Sequence, residues 1–252
     1  MVTPHGIVPL VHPGMLAPIA PTAQLTYHGG PVLGAVQVVP IYWGAFWANG
    51  DGSQLATELD AFFDFILTTS LMDLLGEYST TTTMIGHGGR LSSVKVTASE
   101  PGDPTATGRQ VSDEQIQQAL QGWIVAGTIP ATTANTLYFV YLPPDCVSML
   151  GTDQSCQVFC GYHNHSTNGV FYAVEPYITC LGCSFGTILD SLTKVSSHEL
   201  AEAVTDPALD AWFDPASGDE IGDICNSSTT HLGGYLVQDQ WSNAQSACVI
   251  AP

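Results

Sequence analysis

The segment from Gly186 to about Val204 constrains this chain more than any other. Ile188, Leu189, Leu192 and Val195 recur at helical spacing, so one face of this helix is anchored in a core. Its far end gathers Glu199, Glu202, Asp206 and Asp210 around His198, with no base among them. Carboxylates this dense repel one another unless a cation sits among them. Pro207 then ends the helix. Any fold must therefore bury one face of the helix and neutralise its acidic end.

His198 and Glu202 stand four residues apart and share a helix face. Ser197-His198-Glu199-Leu200-Ala201-Glu202 reads as the metallopeptidase pattern H-E-x-x-H with Glu in place of the second His. His198 and Glu202 are expected to ligate a metal, and Glu199 to act as general base on a metal-activated water. Zinc is the expected ion. A set of one His and two carboxylates also shifts preference towards harder ions. Asp206 lies about 12 Å along the axis from His198, so it caps or supports, or serves as an alternative ligand. Glu220 is the candidate third ligand and Asp223 the supporting residue, by analogy with thermolysin-like peptidases, where a carboxylate roughly twenty residues downstream completes the site. Asp214-Pro215-Ala216-Ser217-Gly218-Asp219 offers alternating oxygen donors, and so a calcium loop through Asp214 and Asp219. In Tyr162-His163-Asn164-His165 the two histidines suit an exposed loop better than a ligand pair. Tyr27, His231 and Tyr235 are candidate oxyanion donors.

Four Lys plus Arg stand against 23 Asp plus Glu, a formal charge of −19. That repels nucleic acid and anionic membranes. No apolar run of about 18 residues is present, so no membrane insertion is expected. The acid excess suits an extracellular protein at acidic pH. All seven cysteines lie in the C-terminal half, in a pattern that fits disulfides better than zinc ribbons. Cys225 and Cys248 are the expected pair. Asn164-His165-Ser166 and Asn226-Ser227-Ser228 are sequons compatible with secretion.

Residues 1–24 are Pro-rich and read as a flexible leader, with one domain over 25–252. Val36–Trp43 reads as a buried strand, with Pro40 implying a bulge or edge. Ser53 is placed to cap a long helix through Leu75, 79–83 to form a strand, and Ser112 to open a capped helix to about Val125. Strands follow at Thr136–Leu142 and Gly169–Val174. This order predicts an α+β fold with an α/β-like core: a zincin-like twisted mixed sheet, a long backing helix, a metal-site helix and a disulfide-bonded C-terminal part.

Several segments resemble the phosphate-induced, exordium-like family in a microbial form: Leu25-Thr26-Tyr27-His28-Gly29-Gly30-Pro31, Ile41-Tyr42-Trp43-Gly44 with Trp47, Phe159-Cys160-Gly161-Tyr162-His163, His198 to Asp206, Trp212, and Glu220 to Cys225. The resemblance implies a secreted or cell-wall-associated protein with paired cysteines, and plant relatives linked to growth and phosphate response without a settled chemistry. In those relatives the counterpart of the metal helix is often degraded, and the intact His198-Glu199 departs from them towards zinc peptidases. Two functions follow. One is a secreted metallopeptidase acting on protein or peptide substrates. The other is a non-enzymatic binder of cell-wall polysaccharide with structural calcium, using Trp43, Trp47 and Trp212 as an exposed face.

Overall fold

A computed structural model describes residues 6–10 and 23–252. Seven strands form the main sheet: β1 (Ile7–Pro9), β2 (Gln37–Trp43), β3 (Gly89–Arg90), β4 (Val94–Val96), β5 (Thr136–Tyr141), β6 (Phe159–His165) and β7 (Phe171–Glu175). The spatial order is β1-β6-β7-β5-β2-β3, with β4 also on β2. β7, β5 and β2 run parallel, while β6 and β1 add antiparallel strands at one edge. A four-stranded sheet built on Gly108–Ser112 and Cys146–Leu150 stands apart from it.

The helices are α1 (Gly50–Ile66), α2 (Ser70–Leu75), α3 (Asp113–Val125) and α4 (Ile188–Thr205). Strand alternation divides the core into two layers. Leu137, Phe139 and Tyr141 face the layer with α1, α2 and α4, and Tyr138, Val140 and Leu142 face the layer with α3. The result is an α+β fold on a mixed sheet, braced by three disulfides.

α4 starts at Thr187, whose hydroxyl accepts from the Asp190 amide at 3.1 Å while the Asp190 carboxylate accepts from the Thr187 amide at 2.9 Å. Ser112 makes the equivalent capping box for α3 with Gln115, as its sequence predicts. From Ser191 to Thr205 every residue of α4 is buried, including its polar ones. A helix that is polar on one side yet buried all round must satisfy that side from within the protein.

Four sequence expectations change. The long helix from Ser53 is two helices, because the Thr68 and Thr69 hydroxyls bond back to Phe65 and Ile66 carbonyls and close the first. Asn49, not Ser53, precedes it. Residues 79–83 are a turn, in which the Ser79 and Thr80 hydroxyls take up the Ile85, Thr82 and Thr83 amides. Pro40 lies in a central strand with unbroken pairing to β5. On its other side β3 pairs only Gln37 and Val38 and β4 only Ile41 to Trp43, and Pro40 sits in the gap. Finally, Ile7–Pro9 belong to the sheet, although they fall in the segment expected to be a flexible leader. The rest of that leader up to residue 22 lies outside the described residues.

Candidate metal centre

Four pieces of chain converge beneath β1. β6 supplies His163 and β7 supplies Glu175. Successive turns of α4 supply Lys194, His198, Glu202 and Asp206, with Glu199 beside them. The loop after α4 returns with Glu220 and Asp223. The side chains of His163, His198, Glu199, Glu202 and Glu220 are at most 1% exposed and that of Asp223 is 3% exposed.

Close approach requires glycine at two points. A Cβ on Gly161 would lie 2.6 Å from Val195 Cγ1, so Gly161 lets α4 settle onto β6. One on Gly222 would lie 2.7 Å from His198 Nδ1 and 2.9 Å from Glu202 Oε1. Disulfides hold the same pieces. Cys160–Cys183 and Cys156–Cys180 tie β6 and its approach to the turn before α4, and Cys225–Cys248 staples the turn that carries Asp223. The last is the pair expected from sequence. Cys146 is the free, buried seventh.

Hydrogen bonds fix which way each imidazole faces. His198 Nδ1 lies 3.1 Å from Gln238 Oε1. The Gln238 amide is itself oriented, because its Nε2 donates to the Gly222 carbonyl at 2.7 Å. His198 Nδ1 therefore carries the proton and donates. Its Nε2 lone pair is left 2.9 Å from Glu202 Oε1 and 3.9 Å from Asp223 Oδ1. His163 Nε2 lies 3.2 Å from the Asp206 carbonyl, which can only accept, so that nitrogen donates. Its Nδ1 then faces Glu199 Oε2 at 3.1 Å and Glu202 Oε2 at 3.6 Å. Lone pair meets lone pair at both histidines. Such contacts hold only with a proton or a metal ion between the partners.

Burial keeps both imidazoles neutral. It lowers the His163 pKa against the pull of Glu202 and Asp206, and lowers that of His198 to about 3. The carboxyls move the other way. Burial first, and then one another's charge, raises Glu199, Glu220 and Asp223 well above the usual range. Burial likewise raises Glu202 and Glu175. The buried ammonium among them, Lys194, is brought down to about 7 by desolvation; it donates to Asn226 Oδ1 at 2.7 Å. His198 Nε2, Glu199 Oε1, Glu202 Oε2, Asp206 Oδ2, Glu220 Oε1 and Asp223 Oδ1 are buried without hydrogen bonds. A cation among them would satisfy these buried acceptors, which an apolar core cannot do.

No protein-family model matches the chain, and no solved structure matches it. Among curated proteins it is similar to Protein EXORDIUM-like 5 of Arabidopsis thaliana, 24% identical over 254 residues that cover 85% of this chain and 68% of the relative. This supports membership of the exordium-like family.

The residues singled out in the sequence do not all converge. His198 and Glu202 group with Asp223, whereas Glu220, expected to join them around one ion, groups with Glu202 and His163, and Glu199 lies beside His163. Asp206 ends α4, and its Oδ1 accepts from the Asp210 and Ala211 amides at 2.7 and 2.6 Å, a supporting role. His163 was expected in an exposed loop. It is instead a buried strand residue, because β-strand alternation turns Gly161 and His163 towards α4. The i, i+2 spacing of the two histidines was the available signal. Asp214, expected to hold calcium with Asp219, uses its carboxylate oxygens on the Gln24 and Ala216 amides, and neither residue belongs to a metal-sized group among the described residues. The aromatic face dissolves as well: Trp47 is fully buried, Trp43 is 6% exposed and Trp212 is half-buried against Tyr27 and Tyr78. Both sequon asparagines are engaged internally, Asn164 with Asp113 and Asn226 with the Pro9 carbonyl. Tyr27 donates to Gly30, Tyr235 packs on Phe62 and Phe65, and His231 lies on an exposed hairpin, so their contacts are elsewhere.

Proposed function

We propose that this protein is a secreted metal-dependent peptidase, with zinc the expected ion and Glu199 the general base. One observation carries the reading: two neutral, oriented imidazoles present lone pairs to a buried carboxylate cluster in which Glu202 Oε2, Glu220 Oε1 and Asp223 Oδ1 lack hydrogen bonds. His198, Glu202 and Asp223, whose donor atoms lie within 4.8 Å of one another, are the residues that would hold the ion. When bound, it would supply Lewis acidity towards a carbonyl and a nucleophile at neutral pH. Gln238 and the Asp206 carbonyl hold the imidazoles in the tautomers that ligation needs. Glu199 has one oxygen beside His163 and one unpaired, so it can take a proton and return it to a leaving amine.

Secretion is supported by three disulfides, which persist in oxidising compartments. Among the described residues no helix is long and apolar enough to cross a membrane. The similarity to an exordium-like protein fits this location but assigns no chemistry.

The test is Glu199→Gln, assayed on unstructured peptide substrates at acidic and neutral pH beside the native chain. Native protein should cleave. The variant should lose about 10²–10⁴-fold in rate while keeping its metal and melting temperature. Equal activity in the two would refute the general-base role. Metal binding without any cleavage would turn the reading to a non-enzymatic binding protein.

A further inference from the structure

We propose that the centre is built for two divalent ions bridged by Glu202, one held by His198, Glu202 and Asp223 and the other by His163, Glu202 and Glu220. This deepens the metal reading above and rests on it.

The residues fall into two sets rather than one. Each set offers three donor atoms within 4.8 Å of one another, and only Glu202 belongs to both. Its two oxygens are divided between them. Oε1 lies 2.9 Å from His198 Nε2, and Oε2 lies 3.6 Å from His163 Nδ1. The buried atoms without hydrogen bonds divide the same way. His198 Nε2 and Asp223 Oδ1 belong to the first set, Glu202 Oε2 and Glu220 Oε1 to the second. Glu220 is held for the second set from the far side, where its Oε2 accepts from the Gly6 amide at 2.6 Å. Its Oε1 is left without a hydrogen bond and lies 3.7 Å from His163 Nε2.

Charge points to the same number. Glu175, Glu199, Glu202, Asp206, Glu220 and Asp223 are six carboxylates around one buried ammonium, Lys194. A single divalent ion offsets two of those negative charges, and two ions offset four. With Lys194 and two ions, five of the six carboxylates are matched. A single ion would leave three buried carboxylates to be neutralised by protons alone. A carboxylate bridge suits ions about 3.5–4 Å apart, the spacing of two-metal hydrolytic centres. The imidazole in each set favours first-row transition ions over calcium, which takes oxygen alone, and the two carboxylates favour the harder of these, such as manganese.

The full chain, stripped of metal and then saturated separately with Zn²⁺ and with Mn²⁺, should hold two ions by elemental analysis. His163→Gln and Glu220→Gln should each leave one ion, and Asp223→Asn should leave the other. Glu202→Gln should weaken both. Circular dichroism identifies any variant that fails to fold. The Mn²⁺-loaded native chain makes the test independent of variants, because a bridged pair gives a spin-coupled electron paramagnetic resonance spectrum in place of the six-line signal of an isolated ion. One ion per chain at saturation, with an isolated-ion spectrum, would overturn the two-ion centre and leave the peptidase reading standing. No bound ion at all would overturn both.

Discussion

Gln238 shows how much one neutral side chain sets at this centre. It accepts from His198 Nδ1 and donates to the Gly222 carbonyl, so it fixes a tautomer and a loop together. Outer partners of this kind change metal affinity by about 10–100-fold when removed. Gln238→Leu should therefore weaken Zn²⁺ binding by that factor, measured by competition with a chromogenic chelator. Gln238→Glu should retain an acceptor for Nδ1 and recover part of the affinity. Equal affinity in all three proteins would mean that His198 does not ligate through Nε2. At the same scale His163 was visible only as half of an i, i+2 pair. Its neighbours in sequence resemble a polar loop, and its ligand environment comes from residues more than thirty positions away.

β1 closes the centre. The His163 amide donates to the Gly6 carbonyl at 2.9 Å, the Gly6 amide donates to Glu220, and Asn226 donates to the Pro9 carbonyl at 2.9 Å. Gly6 and Pro9, at the two ends of the strand, thus join β6 to the loop that supplies Glu220 and Asp223. Gly6 has φ +75, and a Cβ there would lie 2.7 Å from the His163 carbonyl. Gly6→Val should unseat β1, because both the backbone angle and the space are denied to a branched residue. Metal loss to excess chelator should accelerate several-fold while α4 and the disulfides keep the rest folded. An unchanged rate would show that β1 does not limit access. A three-residue strand ending in proline has no periodicity to read, and this is why it was legible only as part of a leader.

For the whole molecule, the buried carboxyls make stability depend on both pH and metal. Their folded pKa values are raised, so between the ordinary carboxylate range and those higher values the folded state holds protons that the unfolded chain releases. The stability these carboxyls contribute is therefore full below about pH 4. It is lost as pH rises through the folded values. The general repulsion of a chain with formal charge −19 acts in the same direction. Melting temperature of the metal-free protein should fall between pH 4.5 and pH 7.5, and saturating Zn²⁺ should flatten that slope by replacing protons. A metal-free melting temperature that rises across this range would show that the carboxyls do not outweigh the two buried imidazoles, whose lowered pKa values act the other way.

Local order was written in the chain. The capping box of Ser112, the apolar face of α4, the buried β-rich strand at Thr136–Tyr141 and the α+β class follow from short-range chemistry that any reader of the sequence can apply. So does the gathering of His198, Glu199 and Glu202 on one helix end, since a helix sets neighbours at fixed intervals. Glu220 and Asp223 were expected beside them, but tertiary structure alone brought in His163 and decided which donors group together. Alternation along β6 turns His163 inward, Gly161 and Gly222 allow backbones to close within contact of side chains, and Cys225–Cys248 holds Asp223 in place. Those partners lie on separate strands and loops, so the division of the donors into two sets is a property of packing. No local pattern in the sequence encodes it.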